Sequence, residues 1–124
     1  MSDLEIFIVD DDAAVRRALD RLLRVSGYRV RAFASAQDVL TELPNSSPAC
    51  LIIDVRMPDR NGLELFEALR STRESIPVIF ITGHGDIAMA VRAMKAGAAD
   101  FLAKPFDDKA LLDAVAQATS KVKQ

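Results

Sequence analysis

The chain has 124 residues, the size of a single domain. Half of the residues are hydrophobic, 27% are charged and the formal net charge is −2, which gives no general attraction to nucleic acid or anionic lipid. No apolar run approaches the ~18 residues that a membrane helix needs, and residues 1–5 lack the basic start of a signal peptide. With Cys50 as its single cysteine, the chain cannot form an internal disulfide. We expect a cytoplasmic protein in which Cys50 packs in the interior.

The first part of the chain predicts a strand, a helix and a second strand. Residues 4–9 form an apolar run typical of a buried strand, and Asp12 after it is suited to cap a helix. We expect that helix to end at Gly27. Residues 28–33 alternate apolar and polar side chains, which predicts a strand at the edge of a sheet. The inward face of the helix is predicted from apolar residues at helical spacing, namely Val15, Ala18, Leu19, Leu22 and Leu23.

The middle of the chain continues this alternation. Ser35 begins a capping box for a short second helix, which we expect Pro44 to end. Residues 49–53 form an uninterrupted apolar run that stops at Asp54, as in a strand buried on both faces. Asn61 is a plausible cap for a third helix, whose inward residues are predicted to be Leu63, Leu65, Phe66 and Leu69.

The last part predicts two more strands and two more helices. Residues 76–81 and 99–102 have the character of strands, and the helix between them is expected to begin at Asp86 and end at Gly97. A final helix begins near Asp107. The predicted inward residues are Ile87, Val91 and Met94 in the fourth helix and Leu111, Leu112, Val115 and Ala118 in the fifth.

The regular alternation predicts an α/β domain in which helices cover both faces of a parallel sheet. Because crossovers are right-handed, few arrangements remain. We expect the doubly wound (βα)5 sheet of five strands in the order 2-1-3-4-5, the flavodoxin-like or CheY-like fold. No domain boundary is evident within residues 1–124, and residues 119–124 are polar enough to be a frayed helix end or the start of a linker.

Polar residues stand at four of the predicted strand ends. The first strand ends at Asp10 and Asp11, the third at Asp54 and the fourth at Thr82, and Lys104 follows the fifth. The carboxyl ends of parallel strands lie along one edge, so these side chains should share one crevice. Three carboxylates together require a cation or a proton, and a set of oxygen ligands suits Mg²⁺. With the metal, Thr82 and Lys104 would bind an anion, most naturally a phosphoryl group.

Each of these residues alone has a commoner structural role, as a helix cap, a turn residue, a strand residue or a surface lysine. A functional site is favoured because suitable polar or charged residues occur at four predicted strand ends that share one edge of the sheet.

The chain resembles the receiver domains of bacterial two-component response regulators over essentially its whole length. The motifs that carry the resemblance are Ile8-Val9-Asp10-Asp11, Asp54 followed by Met57-Pro58 and Gly62, Ile81-Thr82-Gly83, and Lys104-Pro105-Phe106. Residues 81–86, with Ala90-Val91 and the stretch 94–98, are similar in particular to the receivers of FixJ-type transcription regulators.

The resemblance implies a role for each residue of the crevice. Asp54 would accept a phosphoryl group from a phosphohistidine of a sensor histidine kinase, or from a small donor such as acetyl phosphate. Mg²⁺, for which Mn²⁺ can substitute, would be bound by Asp11, Asp54 and the backbone carbonyl of Arg56. Asp10 would act on the metal through water. The metal would neutralise charge on the transferring group and orient it for in-line attack.

The resemblance also implies a conformational switch. Lys104 would pair with the phosphoryl oxygens, and its peptide bond to Pro105 is expected to be cis. The Thr82 hydroxyl would move toward the phosphoryl group, and Phe101 would turn into the space that it leaves. From the residue alone, Phe101 is equally well a core aromatic of a strand.

Two further positions flank the mouth of the crevice. Arg56 and His84 each lie two residues beyond a site residue, and the resemblance implies that such positions tune the lifetime of the phosphoryl group. His84 is the single histidine of the chain, and we expect a solvent-facing loop residue rather than a phosphocarrier.

The resemblance implies a switch rather than an enzyme that acts on other molecules. Its partners would be a sensor histidine kinase and, after phosphorylation, a second copy bound through the fourth helix and fifth strand. Met89, Ala90, Ala93 and Met94 are either part of that dimer face or core residues. Output would come from a DNA-binding domain beyond Gln124 that regulates transcription, or the receiver would act alone as a phosphate shuttle. By itself the chain is not expected to bind DNA or a membrane.

Three other classes of protein fit the sequence less well. A phosphatase of the haloacid dehalogenase type needs a second aspartate where the chain has Arg56. A flavodoxin-like flavin binder needs a turn rich in Ser, Thr and Gly after the first strand, where residues 10–12 are aspartates that repel phosphate. A receiver that has lost phosphorylation is disfavoured by the complete set of Asp10, Asp11, Asp54, Thr82 and Lys104.

Overall fold

The computed structural model describes residues 4–55, 62–73, 76–83 and 87–120, with the backbone alone for residues 71–73 and 87. Within these ranges, five strands alternate with five α-helices, and no helix has the length and apolar composition to span a membrane. The strands are β1 (Glu5–Val9), β2 (Arg29–Phe33), β3 (Cys50–Asp54), β4 (Val78–Thr82) and β5 (Asp100–Ala103). The helices are α1 (Ala13–Val25), α2 (Ala36–Glu42), α3 (Gly62–Arg73), α4 (Ile87–Lys95) and α5 (Asp108–Ser120), with a 3₁₀ turn (Leu43–Asn45) after α2.

The five strands form one parallel sheet in the order β2-β1-β3-β4-β5. This confirms the predicted α/β fold, its strand order and the edge position of β2. The register aligns the carboxyl ends of the inner strands, since Val9 is level with Ile53 and Asp54 is level with Ile81. The residues that follow β1, β3 and β4 therefore meet at one edge of the sheet.

Helices cover both faces of the sheet because its three inner strands are apolar on both sides. The face that packs against α2, α3 and α4 contains the buried strand residues Phe7, Val9, Leu51, Ile53, Val78 and Phe80. The face that packs against α1 and α5 contains Ile6, Ile8, Cys50, Ile52, Ile79 and Ile81. Cys50 begins β3 and is fully buried, as predicted, and burial raises the pKa of its thiol to about 12.

Local capping interactions set the ends of the first two helices. The Asp12 carboxylate accepts the N–H of Ala14 at 2.9 Å, and the Ser35 hydroxyl accepts the N–H of Asp38 at 3.2 Å. Gly27 follows α1 with a φ of 98°, a conformation that glycine adopts without steric cost. The predicted caps of α1 and α2 are therefore confirmed.

The predicted inward faces of two helices are wrong in part. In α4, Val91 and Met94 are 44% and 39% exposed, whereas Ala90 and Ala93 are buried. Apolar residues cover most of the circumference of α4, so their spacing does not single out one face. The helix packs through Ala90 and Ala93, with Met89 partly buried beside them, and the side chain of Ile87 lies outside the described residues. In α1, Ala18 is exposed, and its single methyl group costs little at the surface.

The ends of two other helices can also be compared with the prediction. The α2 helix ends at Glu42, directly before the 3₁₀ turn that contains Pro44, as predicted, and a proline in the first turn of that 3₁₀ segment lacks only an N–H that would have no helical partner. Thr119 and Ser120 belong to α5, and the buried Thr119 hydroxyl donates to the Val115 carbonyl at 2.8 Å. The rest of the predicted linker segment, 121–124, lies outside the described residues.

Candidate functional site

Three carboxylates meet at the carboxyl edge of the sheet. Asp54 is the last residue of β3, and Asp10 and Asp11 directly follow β1. One oxygen atom of each carboxylate lies within 4.8 Å of the other two. Asp10 and Asp54 are only 1% and 7% exposed, whereas Asp11 faces solvent. The parallel register brings these residues together from two separate strands, as the sequence predicts.

Lys104 supplies a positive charge to this cluster from the end of β5. Its Nζ donates a hydrogen bond to Asp54 Oδ2 at 3.1 Å and lies 3.4 Å from Asp10 Oδ2. Burial would lower the pKa of Lys104, but the hydrogen bond to Asp54 and the charges of Asp10 and Asp54 outweigh it, so the pKa is raised. The backbone N–H of Lys104 donates to the Thr82 carbonyl at 2.8 Å, and the Lys104–Pro105 peptide bond is cis.

Asp10 has one oxygen that lacks a hydrogen bond. Its Oδ1 accepts the backbone N–H of Asp12 at 2.9 Å, but Oδ2 has no hydrogen-bond partner among the described residues. Lys104 is within ion-pair distance of Oδ2 without the geometry of a hydrogen bond. Burial, and then the negative charge of Asp54, raise the pKa of Asp10 against the opposing effects of the Asp12 N–H and Lys104. A buried carboxylate oxygen that has no hydrogen-bond donor is suited to bind a cation.

The donor set fits Mg²⁺ on chemical grounds. The three aspartates offer oxygen ligands only, and two of them are largely buried beside the exposed Asp11. Mg²⁺ prefers one or two carboxylates and keeps several water molecules, which an opening at Asp11 permits. The orphan oxygen of Asp10 would be satisfied by the ion or by one of its waters.

Thr82 ends β4 at the carboxyl edge of the sheet, and Phe101 lies on β5, two residues before the position that is level with Thr82. Thr82 is buried and donates its hydroxyl hydrogen to the Gly83 carbonyl at 3.2 Å. Its neighbour in the sheet is Ala103. Phe101 is level with Phe80 on β4 and is partly buried against the α2, α3 and α4 side of the core. A small rotation of the Thr82 side chain would therefore redirect its hydroxyl without moving the strand.

Gly62 allows α3 to begin directly behind Asp54. Its N–H donates to the Val55 carbonyl at 2.6 Å, and a Cβ atom at this position would lie 2.8 Å from the Asp54 carbonyl oxygen. Any larger residue would push the start of α3 away from the strand end that carries the carboxylate. The close backbone approach explains why the motif has glycine at this position.

Arg16 is a part of the site that the sequence did not predict. Its Nη1 donates to the backbone carbonyl of Asp10 at 2.6 Å and so ties the turn after β1 to α1. The two residues are six apart in the chain and belong to different elements, so no periodicity connects them. Only the tertiary structure reveals this contact.

Several residues of the predicted site lie outside the described part of the chain. These are Arg56, with its backbone carbonyl, and His84, together with Met57-Pro58 and the predicted caps Asn61 and Asp86. Their predicted roles stay predictions.

Comparison with known proteins assigns the chain to a family. A family model described as the response regulator receiver domain matches residues 6–116. The chain is 50% identical over 116 residues to nodulation protein W of Bradyrhizobium diazoefficiens, covering 94% of this chain and 51% of that protein. It is 44% identical over 119 residues to the transcriptional regulatory protein FixJ of Rhizobium meliloti, covering 96% and 58%. The chain thus spans about half the length of such curated relatives.

Solved structures agree with this assignment. The crystal structure of FixJ-N is 43% identical, with a TM-score of 0.89 and coverage of 97% of this chain and 96% of that one. Full-length FixJ from B. japonicum is 42% identical, with a TM-score of 0.88, and the match covers 99% of this chain and 63% of that one. Sequence, fold and carboxylate cluster agree, and the chain belongs to the response regulator receiver domain family.

Proposed function

We propose that the chain is the phosphoacceptor switch of a two-component phosphorelay, with Asp54 as the residue that is phosphorylated. One observation carries the proposal. The Lys104 ammonium group lies between Asp54 and Asp10, beside a third carboxylate, at the edge of a receiver sheet. This arrangement supplies both a nucleophile and the positive charge that a phosphoryl group requires.

Asp54 is favoured over its neighbours as the nucleophile. Asp10 is 1% exposed, so a phosphodonor has little access to it, whereas Asp11 is exposed but is better suited to hold a metal at the mouth of the crevice. Asp54 is more exposed than Asp10, at 7% against 1%, and it accepts a direct hydrogen bond from Lys104. Its oxygen attacks the donor phosphorus, and the bond from phosphorus to the leaving group breaks. The electron pair leaves with acetate or with the imidazole of the donor.

A divalent metal belongs to the same proposal. Asp11 and Asp54 would bind Mg²⁺, or Mn²⁺ in its place, with Asp10 acting through water and the Arg56 carbonyl as a further ligand. When bound, the metal neutralises charge on the transferring phosphoryl group. Lys104 would then exchange its hydrogen bond with Asp54 for one with a phosphoryl oxygen.

The switch follows from the added charge. A phosphoryl group brings more negative charge and more acceptor oxygens than the carboxylate it modifies. We expect the Thr82 hydroxyl, which donates to the Gly83 carbonyl, to turn toward that group, and Phe101 to move further into the core. The lifetime of the phosphoryl group would be tuned by Arg56 and His84.

Two surfaces support the proposed partners. An open groove of about 660 Å³ adjoins Lys104 and suits a sensor histidine kinase that must reach Asp54; it is lined by Ala14, Val15, Ala18, Lys104, Pro105, Phe106 and Asp108. A homodimer of the phosphorylated form would use α4, where Val91 and Met94 are exposed, and the edge strand β5. A cytoplasmic location belongs to the same proposal.

The proposed output is control of transcription through a second domain. The curated relatives are about twice as long as this chain, and one is named a transcriptional regulatory protein. In this proposal the chain catalyses only its own phosphorylation and dephosphorylation and no reaction of another molecule. A stand-alone shuttle would share the same site and would act through protein contacts only.

Incubation with acetyl phosphate and Mg²⁺, followed by intact mass spectrometry, tests the proposal. We expect one added phosphoryl group, none in Asp54→Asn, and none when the metal is chelated. Lys104→Ala should slow the reaction roughly tenfold or more, because it removes the charge that faces the phosphoryl oxygens. Lys109→Ala is the matched control, since Lys109 is exposed on α5 and contacts Asp113 instead. Phosphorylation of Asp54→Asn at the wild-type level would refute the proposal.

A further inference from the structure

Helix α4 packs against the sheet through two alanines and one methionine. Among its side chains that the structure describes, Ala90 and Ala93 are buried and Met89 is partly buried against the core, whereas Val91 and Met94 are exposed. An alanine methyl group removes far less apolar surface from water than a leucine side chain does. By comparison, α3 buries Leu63, Leu65, Phe66 and Leu69. The described side chains of α4 therefore bury less apolar surface than those of α3.

The C-terminal end of α4 is closed by backbone hydrogen bonds from two residues that follow the helix. Gly97 has a φ of 109°, its N–H donates to the Met94 carbonyl at 3.1 Å, and the Ala98 N–H donates to the Ala93 carbonyl at 3.0 Å. These two bonds define a Schellman motif, which satisfies carbonyl groups that the helix itself leaves open. The carbonyl of Ala96 lies in the same turn and is the acceptor for a side chain from another helix.

That side chain is Arg70 of α3. Its Nη1 donates to the Ala96 carbonyl at 2.6 Å, across 26 residues of sequence. The carbonyl groups at a helix C-terminus carry partial negative charge, so a guanidinium is well placed there. The hydrogen bond therefore joins α3, which is well packed, to the end of α4.

The guanidinium of Arg70 is held in position by an aromatic platform. Its Cζ lies 5.5 Å from the centre of the Phe66 ring, and Phe66 in turn packs edge-on against Phe80 of β4, with 5.5 Å between ring centres. A Cβ atom at position 97 would overlap the guanidinium, so Gly97 serves both the turn and the arginine. Stacking on a ring limits the freedom that an exposed arginine would otherwise have.

We propose that Arg70 anchors the C-terminal end of α4 to α3. If phosphorylation displaces α4, this hydrogen bond would keep the C-terminal end of the helix against α3. Arg70 is thus a positioning residue that acts through the Ala96 carbonyl. Its bearing on activation rests on the proposed function, but the anchor itself is a property of the unphosphorylated protein.

Hydrogen exchange of single amides in the unphosphorylated protein tests the anchor. In Arg70→Gln, the amides of Gly97 and Ala98 should exchange about tenfold faster, because the turn they close has lost its tie to α3. The amide of Ile52 in the central strand should not change. Arg92→Gln is the matched control: it removes the same charge from the last turn of α4 and should leave these amides unchanged.

Unchanged exchange at Gly97 and Ala98 in Arg70→Gln would overturn the proposal. Equal acceleration in Arg92→Gln would overturn it too, because the effect would then come from charge near the helix end. Acceleration that includes Ile52 would indicate general destabilisation and would also count against an anchor. Arg70→Gln should still accept a phosphoryl group from acetyl phosphate. Failure of the wild-type protein to accept one would refute the phosphoacceptor function and leave the exchange result intact.

Discussion

At the scale of single residues, the site combines groups that oppose folding with groups that hold them in place. Asp10 is almost fully buried beside Asp54, and only one of its oxygens has a hydrogen bond among the described residues. Lys104 balances part of this negative charge, and Arg16 holds the Asp10 backbone. Buried like charges are costly, so the metal-free protein keeps its site at the expense of stability.

Replacing Asp10 tests this trade-off. Asp10→Asn keeps an oxygen that accepts the Asp12 N–H but removes one buried charge, so the free energy of unfolding without metal should rise by about 1 kcal/mol. The raised pKa of Asp10 also indicates that its negative charge destabilises the folded protein. Folding favours its protonated form, so this residue costs stability as the pH rises above its ordinary value. The same change should weaken Mg²⁺ binding, because it reduces the negative charge around the ion.

Urea unfolding in a chelator and Mg²⁺ titration by calorimetry measure the two effects. Asp12→Asn is the control, because asparagine caps a helix as well as aspartate and position 12 is not one of the three clustered carboxylates. Its stability and metal affinity should stay near those of the wild type. A less stable Asp10→Asn protein, or one with unchanged Mg²⁺ affinity, would contradict this account of the site.

At the scale of elements, α4 is where sequence reasoning was least reliable. Seven of its nine residues are apolar, so helical spacing did not distinguish the buried Ala90 and Ala93 from the exposed Val91 and Met94. The faces of α3 and α5 were predicted correctly, because polar residues alternate with apolar ones there at the period of a helix. Contacts such as that of Arg70 with Ala96 join distant elements, and no local pattern indicates them.

Two substitutions distinguish the buried face of α4 from its exposed face. Ala93→Leu adds three carbon atoms to a fully buried position and should lower the free energy of unfolding by about 1–3 kcal/mol. Met94→Lys alters an exposed position and should change the free energy of unfolding by no more than about 0.5 kcal/mol. Met94→Lys should nevertheless weaken the dimer of the phosphorylated protein, because it places charge on the proposed contact face.

Urea unfolding followed by circular dichroism measures the stability effects, and sedimentation of phosphorylated samples measures the dimer. A larger stability loss for Met94→Lys than for Ala93→Leu would show that the assignment of the α4 faces is wrong. A dimer of undiminished affinity in Met94→Lys would exclude α4 from the contact.

At the scale of the whole molecule, the order of strands and helices was predictable because each short apolar run ends in a turn and is followed by a helical pattern. Right-handed crossovers then leave one common sheet order, and that order places Asp10, Asp54 and Thr82 at one edge. The sequence could not reveal the orphan oxygen of Asp10 or the close approach of Gly62 to Asp54. Both depend on how separate elements pack, to within fractions of an ångström.

The central claim is that Asp54, and neither Asp10 nor Asp11, receives the phosphoryl group. Borohydride reduces an acyl phosphate to an alcohol, so a phosphorylated aspartate becomes homoserine, whose position peptide mass spectrometry identifies. After treatment with acetyl phosphate and Mg²⁺, reduction and digestion, we expect homoserine at position 54 alone. Homoserine at position 10 or 11, or a phosphoryl group on His84 with none at Asp54, would contradict the assignment.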